Sequence, residues 1–271
     1  MATFADRPKR RLEPDMTINL SRDENIALLE ISRPEALNAL NLETIQTFTN
    51  ALDTIETWTN LKALIITGAG EKSFCAGADV KELSGRTLAN HREGVIQGQR
   101  AFARLDSFRL PSIAAINGFA FGGGLEIALA CTFRVAKSNA KLGLPEIRLG
   151  LIPGYGGTQR LARLIGTGRA LELILTGKNL TGSEARDWGL VNAVTDQNVV
   201  DAAKQFASGF TAHSLPILGY ARDAINRGVE TTLANGLVIE ADACCLAYST
   251  QDAAEGIAAF TEKRSPSFLD R

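Results

Sequence analysis

The stretch Ile116-Asn117-Gly118-Phe119-Ala120-Phe121-Gly122-Gly123-Gly124-Leu125-Glu126 decides how this chain is read, because it runs from an apolar strand into a helix through three consecutive glycines. Glycines at that place cost conformational entropy and weaken the first helical turn, so something requires a bare backbone. Two requirements are open. A helix start presents unpaired N–H groups and the positive end of its dipole together, which makes an anion site. Close packing of a helix on a strand demands missing side chains just as well. No nucleotide motif is spelled: Gly118-Phe119-Ala120-Phe121-Gly122 breaks G-x-G-x-x-G, and Gly68-Ala69-Gly70-Glu71-Lys72-Ser73 lacks the Gly-Lys-Ser order of a phosphate loop.

Working outward, residues 112–116 form an apolar strand leading into these glycines, and residues 123–130 form the helix that leaves them. Residues 26–31 read as a strand. Residues 42–58 carry Leu42, Ile45, Phe48, Leu52 and Ile55 at helical spacing. The wholly apolar run 63–68, ended by Gly68, suits a strand covered on both faces. A helix over 86–106 and strands at 133–136 and 191–194 continue the alternation, which predicts an α/β core with parallel pairing through crossovers. From residue 199 only helices follow, at 199–212, 215–226, 231–251 and 252–262. The expected division is a core over 1–198 and a helical part over 199–271, which packs either on its own core or on a neighbouring subunit.

With 271 residues, 45% hydrophobic and 22% charged, the chain has enough apolar material for a full-sized core. A formal net charge of -1 argues against general affinity for nucleic acid or anionic membrane. No apolar run is long enough to span a bilayer, and the basic opening Met1 to Arg11 lacks the apolar segment of a secretory signal, so a cytoplasmic location is expected. Asp6 and the strand-like sequence soon after argue against an organellar transit peptide. Cys75, Cys131, Cys244 and Cys245 have no C-x-x-C spacing, and neither His91 nor His213 lies near them in sequence, so no metal site or disulfide framework is expected. The expected reading is buried cysteines and surface histidines. A Ser-His-Asp hydrolase lacks its G-x-S-x-G elbow here.

Two further segments resolve the glycine question. Lys72-Ser73-Phe74-Cys75-Ala76-Gly77-Ala78-Asp79 follows an apolar strand with small residues. Gly143-Leu144-Pro145-Glu146-Ile147-Arg148-Leu149-Gly150-Leu151-Ile152-Pro153-Gly154-Tyr155-Gly156-Gly157-Thr158-Gln159 puts a glutamate in apolar company before another glycine loop. Together with Arg33-Pro34-Glu35-Ala36-Leu37-Asn38-Ala39-Leu40, Thr176-Gly177, Ala185 and Ala259-Phe260-Thr261-Glu262-Lys263-Arg264, these segments resemble the crotonase, or enoyl-CoA hydratase/isomerase, superfamily over nearly the whole chain.

That resemblance implies a spiral α/β core of repeated β-β-α units, a C-terminal helical region that builds a homotrimer or dimer of trimers, and an acyl-CoA thioester substrate with no separate cofactor. It implies an oxyanion hole from the N–H groups of Ala78 and Gly123, catalytic Glu126 and Glu146 sharing a water, and Gly154 orienting that water. By the same resemblance Ala36, Leu37, Ala76, Asp79 and Val80 line the CoA site, and Phe260 and Lys263 reach the nucleotide end from an adjoining subunit. Tyr155 stands where many relatives have a smaller residue, and residues 86–99 correspond to the variable lining of the acyl pocket.

Bland readings exist for both glutamates, since an acidic residue in a first helical turn is stabilising by about 0.3–1 kcal/mol without chemistry, and Glu146 could pair with Arg148. The presence of both prefers hydration over double-bond migration. Isomerisation, and hydration or dehydration of carnitinyl, methylglutaconyl or aryl thioesters, are the alternatives on the same fold. An RNA-binding role is suggested only by the likeness of residues 124–131 to methylglutaconyl-CoA hydratases with that property.

Overall fold

A computed structural model describes residues 17–271; the basic opening at 1–11 lies outside the described residues. Strands β1 (Ile18–Asp23) and β2 (Ile26–Ile31) form an antiparallel hairpin, followed by α1 (Leu42–Glu56). Three repeats come next. They are β3 (Ala63–Gly68), β4 (Ser73–Cys75) and α2 (Leu88–Asp106); β5 (Ser112–Ile116), β6 (Phe119–Phe121) and α3 (Gly123–Ala130); and β7 (Phe133–Lys137), β8 (Lys141–Gly143), a 3-10 turn at Pro145–Leu149, α4 (Gly157–Ile165) and α5 (Thr167–Thr176). The chain continues through β9 (Asn179–Thr181), α6 (Gly182–Asp187), β10 (Ala193–Thr195), α7 (Val199–Thr211), α8 (Leu215–Gly228), α9 (Leu233–Tyr248) and α10 (Gln251–Glu262).

The first strand of each repeat joins a six-stranded sheet of order β1-β2-β3-β5-β7-β10, and the second joins a four-stranded sheet of order β4-β6-β8-β9. Pairing from β2 through β10 is parallel in the large sheet, as are β4·β6 and β6·β8 in the small one; β8·β9 is antiparallel. The chain thus advances one strand in each sheet per repeat, which is the β-β-α spiral of the expected α/β fold.

All six residues of β3 are buried, as a strand covered on both faces must be. Leu64 and Ile66 join the main core with Ile45, Phe48, Leu52 and Ile55 of α1 and Phe102 of α2, and Phe48 meets Phe102 edge to face at 6.0 Å. Ala63 and Ile65 face the other way, onto Val199, Ala203 and Ala207 of α7. So α7 packs on the large sheet with the core, although it opens the helical stretch expected from residue 199. Leu42, read as part of the buried face of α1, is partly exposed at its N-terminus.

Helix α3 is buried at all eight residues. Its C-terminal end is held by Arg134 of β7, whose buried guanidinium donates to the carbonyls of Ala128 (3.3 Å), Cys131 (2.9 Å) and Leu190 (2.8 Å). A cation there complements the negative end of the helix dipole and satisfies carbonyls that no further turn would reach. Burial pushes the Arg134 pKa down from its ordinary value.

The strands β4, β6, β8 and β9 and the helices α4 to α6 were not anticipated from sequence, and the strand expected at 191–194 begins at Ala193. Cys75 and Cys131 are buried, but Cys244 and Cys245 are exposed, against the expectation of four buried thiols. His213 is exposed and His91 half-buried.

Helices α8 and α9 lie side by side, with Gly228 against Gly236. The end of the chain is tethered to the core: Asp252 accepts the N–H groups of Leu269 and Asp270, and Asp270 pairs with Lys62 at 2.6 Å. Val229, Leu233, Leu237, Val238, Leu246 and Ile257 remain exposed on these helices. Among the described residues no helix is long and apolar enough to cross a membrane.

Candidate active site

The three glycines at the start of α3 have different reasons for being glycine. A Cβ at Gly124 would fall 2.0 Å from the Cys75 carbonyl oxygen, so this residue lets α3 lie directly on β4. Gly122 has φ 49°, a left-handed backbone, and a Cβ there would fall 2.8 Å from Glu146 Oε1. At Gly123 a Cβ would sit 3.0 Å from Leu40 Cδ1 and 3.2 Å from Tyr155 Cδ2. Close packing, one of the two requirements left open by the sequence, therefore operates at Gly123 and Gly124, while Gly122 is set by its backbone conformation.

The 76–80 segment reaches the same place. A Cβ at Gly77, which has φ 101°, would lie 3.5 Å from the Gly123 nitrogen. Leu40 donates to Gly77 O (2.8 Å) and accepts from Asp79 N (2.8 Å), forming a one-residue bridge that leaves the intervening Ala78 N–H free of that ladder. Among the described residues neither Ala78 N–H nor Gly123 N–H donates to a backbone acceptor outside its own element. Free backbone donors beside a helix N-terminus are suited to hold developing negative charge.

Glu126, in the first turn of α3, is buried. Its Oε1 accepts from Tyr155 N and Gly157 N, both at 2.7 Å. Burial is the main cause that pushes its pKa up to about 7; the Gly157 N–H pulls against it, and the charge of Glu146 adds to it. Both N–H bonds fall on one oxygen, which leaves Oε2 to take a proton or a water. Glu146, at the second position of its 3-10 turn, is also raised, by burial, and its Oε2 is buried and accepts no hydrogen bond among the described residues. A buried acceptor without a donor is costly and marks a place where a proton or ligand belongs. No ion pair joins Glu146 to Arg148 among the described residues, so the bland reading of that carboxylate lacks its partner.

The loop carrying Gly154 and Tyr155 is pinned from two sides. Gln99 of α2 donates to Gly154 O at 2.8 Å, and Arg160 donates to Tyr155 O at 3.3 Å while paired with Asp106 at 2.6 Å. The sequence reading missed Gln99, Arg160 and the Tyr155 and Gly157 N–H donors.

For the remaining expected positions, Leu37 O accepts from Ala76 N at 3.1 Å, which lays the turn holding Ala36 and Leu37 beside Ala76, Asp79 and Val80. Asp79 is half-buried and paired with Arg33 at 3.2 Å, while Val80 is exposed. Within one chain Phe260 and Lys263 are not brought to this cluster: Phe260 is 87% exposed near the end of α10, and Lys263 caps that helix in a left-handed conformation. No group of three or more His, Cys, Asp or Glu able to hold a metal occurs among the described residues.

A two-sheet spiral that places two carboxylates close enough for the charge of one to raise the pKa of the other, beside free backbone donors at a helix start, has the groups needed to stabilise an oxyanion and move protons beside it. A family model described as enoyl-CoA hydratase/isomerase matches residues 21–271. The chain is 42% identical to a short-chain-enoyl-CoA hydratase of Clostridium acetobutylicum, covering 90% of this chain and 94% of the relative. It is 41% identical to a crotonyl-CoA hydratase of Syntrophomonas wolfei, over 94% and 98%. A crystal structure of an enoyl-CoA hydratase from Bacillus anthracis superposes with a TM-score of 0.90 at 38% identity, over 94% of this chain and 100% of that one. The chain belongs to the enoyl-CoA hydratase/isomerase family.

Proposed function

We propose that this protein is an enoyl-CoA hydratase, a hydro-lyase that adds water reversibly across the 2,3 double bond of an enoyl-CoA thioester. The observation that carries this reading is the placing of two interacting carboxylates at the start of α3: Glu126, buried in its first turn, and half-buried Glu146, whose Oε1 lies against Gly122 and whose Oε2 is buried without a donor among the described residues.

The Ala78 and Gly123 N–H groups hold the thioester oxygen as charge builds on it, an interaction worth about 3 kcal/mol of barrier per donor. A water lies between the carboxyls, oriented with help from the Gly154 N–H. Ionised Glu126 takes a proton from it as the oxygen bonds to C3, and protonated Glu146 delivers a proton to C2. The C2–C3 π bond breaks, one C–O and one C–H bond form, and the proton count is conserved. Glu126 suits the base role because two N–H groups favour its ionised form against burial. Because the two carboxyls interact, the pH profile reports the pair.

Hydration changes no net oxidation state, so this reading asks for no metal, flavin or nicotinamide. The 36–37 turn and residues Ala76, Asp79 and Val80 form the CoA wall, Asp79 acting by its Arg33-braced position. The exposed apolar residues of α8 to α10 support assembly into a homotrimer or dimer of trimers, in which Phe260 and Lys263 reach a neighbour's nucleotide. A cytoplasmic protein of acyl-CoA metabolism fits this chemistry. RNA binding gains no support from a net charge of -1.

Mass analysis after incubation with a 2-enoyl-CoA and, separately, a 3-enoyl-CoA tests the reading. Gain of one water by the first at a rate well above any bond shift in the second is expected. Fast isomerisation of the second with no hydration of the first would give the isomerase reading instead.

A further inference from the structure

The loop that supplies two N–H donors to Glu126 reads Gly154-Tyr155-Gly156-Gly157, and its one large side chain has no part in the chemistry above. The Tyr155 ring is wedged between two helices at positions where each offers bare backbone. Toward α2, a Cβ at Gly98 would fall 2.4 Å from Cδ1 and Cε1 of the ring; toward α3, a Cβ at Gly123 would fall 3.2 Å from Cδ2 and 3.3 Å from Cε2. Phe102 meets the ring edge to face, centroids 5.5 Å apart at 85°. With both edges and a neighbour in contact, the ring has no room to swing aside without moving a helix. It fills the space bounded by Gly98, Phe102 and Gly123.

That space adjoins the acyl carbons. Gly123 supplies an N–H to the thioester oxygen in the reading above, and Glu126 hangs from the backbone N–H of Tyr155 itself. An acyl chain whose C2 and C3 lie between the glutamates meets the aromatic ring as it extends from that corner. We propose that Tyr155 closes the acyl end of the pocket and restricts this enzyme to short enoyl thioesters, with Gly98 as the bare position that admits the ring. This rests on the enoyl-CoA reading and narrows it to a substrate class.

The test is kcat/KM for crotonyl-CoA, octenoyl-CoA and dodecenoyl-CoA with wild type, Tyr155→Phe, Tyr155→Leu and Tyr155→Ala, with melting temperatures alongside. Wild type should lose efficiency steeply from crotonyl to octenoyl. Tyr155→Ala should raise the octenoyl-to-crotonyl ratio by about tenfold or more, since one methylene of fit in a pocket is worth roughly 10–200-fold. Tyr155→Leu should fall between, and it carries the test if the alanine variant does not fold. Tyr155→Phe should keep the wild-type ratio, because the ring and not its hydroxyl is the wall. A ratio unchanged in the leucine and alanine variants, with all substrates losing equally and the melting temperature falling, would make the ring mere loop packing and overturn the proposal. So would a wild type that hydrates all three with equal efficiency. A wild type inactive on every thioester would fail the hydratase reading itself, and the proposal with it.

Discussion

Helices α3 and α9 are both rich in apolar residues, yet α3 is buried at every residue and α9 at none. The sequences Gly-Gly-Leu-Glu-Ile-Ala-Leu-Ala and Leu-Ala-Asn-Gly-Leu-Val-Ile-Glu-Ala-Asp-Ala-Cys-Cys-Leu-Ala-Tyr do not announce that difference. What separates them is their surroundings. The first is threaded between two sheets by the spiral and fixed at its far end by Arg134, so its N-terminus is a rigid mount for Gly123 and Glu126. The second rests on α8 along one side and leaves Leu233 79% exposed. Apolar surface of that extent is normally covered by a partner. The proposed donors and carboxyls therefore all lie within one chain, whereas the helical end presents the apolar face on which the proposed assembly rests.

Substitutions in the two helices break or sharpen this contrast. The largest effect is expected from Gly124→Val, which forces side-chain atoms into the Cys75 carbonyl where even a Cβ has only 2.0 Å; loss of folded protein on a thermal melt is the expected outcome. Arg134→Met should destabilise by about 2–4 kcal/mol, because it strips the charged donor from two carbonyls at the end of α3, those of Ala128 and Cys131, and from the Leu190 carbonyl. Denaturant melts measure this.

Glu126→Gln should act in the opposite direction. Wild-type Glu126 has its folded pKa raised to about 7, so its contribution to stability is full below the ordinary carboxyl range and is lost as pH rises through 7. Up to about 3 kcal/mol is withdrawn over that window at 1.36 kcal/mol per decade. The glutamine variant escapes this, so its melting temperature should exceed wild type at pH 8 and converge with it near pH 4. The smallest effect on the folded chain belongs to Leu237→Glu, at an exposed site of α9. Its far-ultraviolet spectrum should be unchanged while sedimentation shows a smaller assembly; an unaltered sedimentation coefficient would remove this face from the interface.

Strands β2, β3, β5 and β7 of the large sheet were legible as largely apolar runs of five or six residues, and the long helices because their apolar periodicity runs over many residues. Helix α3 was placed to its ends by the glycines before it and the strand signal after it. The small sheet was not legible, since β4, β6, β8 and β9 have three residues each, too few to show a period. At the site, Glu146 stood out as a carboxylate in apolar company, while the pairing of Glu126 with it came from the family resemblance. The groups that hold Glu126 did not, because a backbone N–H from Tyr155 or Gly157 leaves no trace in residue identity. Gln99 looked like one more polar residue of a long helix until its bond to Gly154 O placed it behind the loop. Tyr155 was visible as a large residue among glycines, but only the contacts with Gly98 and Gly123 show which space it fills.

The central claim is that Glu126 and Glu146 act together on one water, and the rate of crotonyl-CoA hydration in wild type, Glu126→Gln and Glu146→Gln tests it most directly. The account predicts that wild type consumes the conjugated thioester and that each variant, folded and still binding CoA, loses at least about a hundredfold in kcat. Retention of near wild-type turnover by either variant would contradict it.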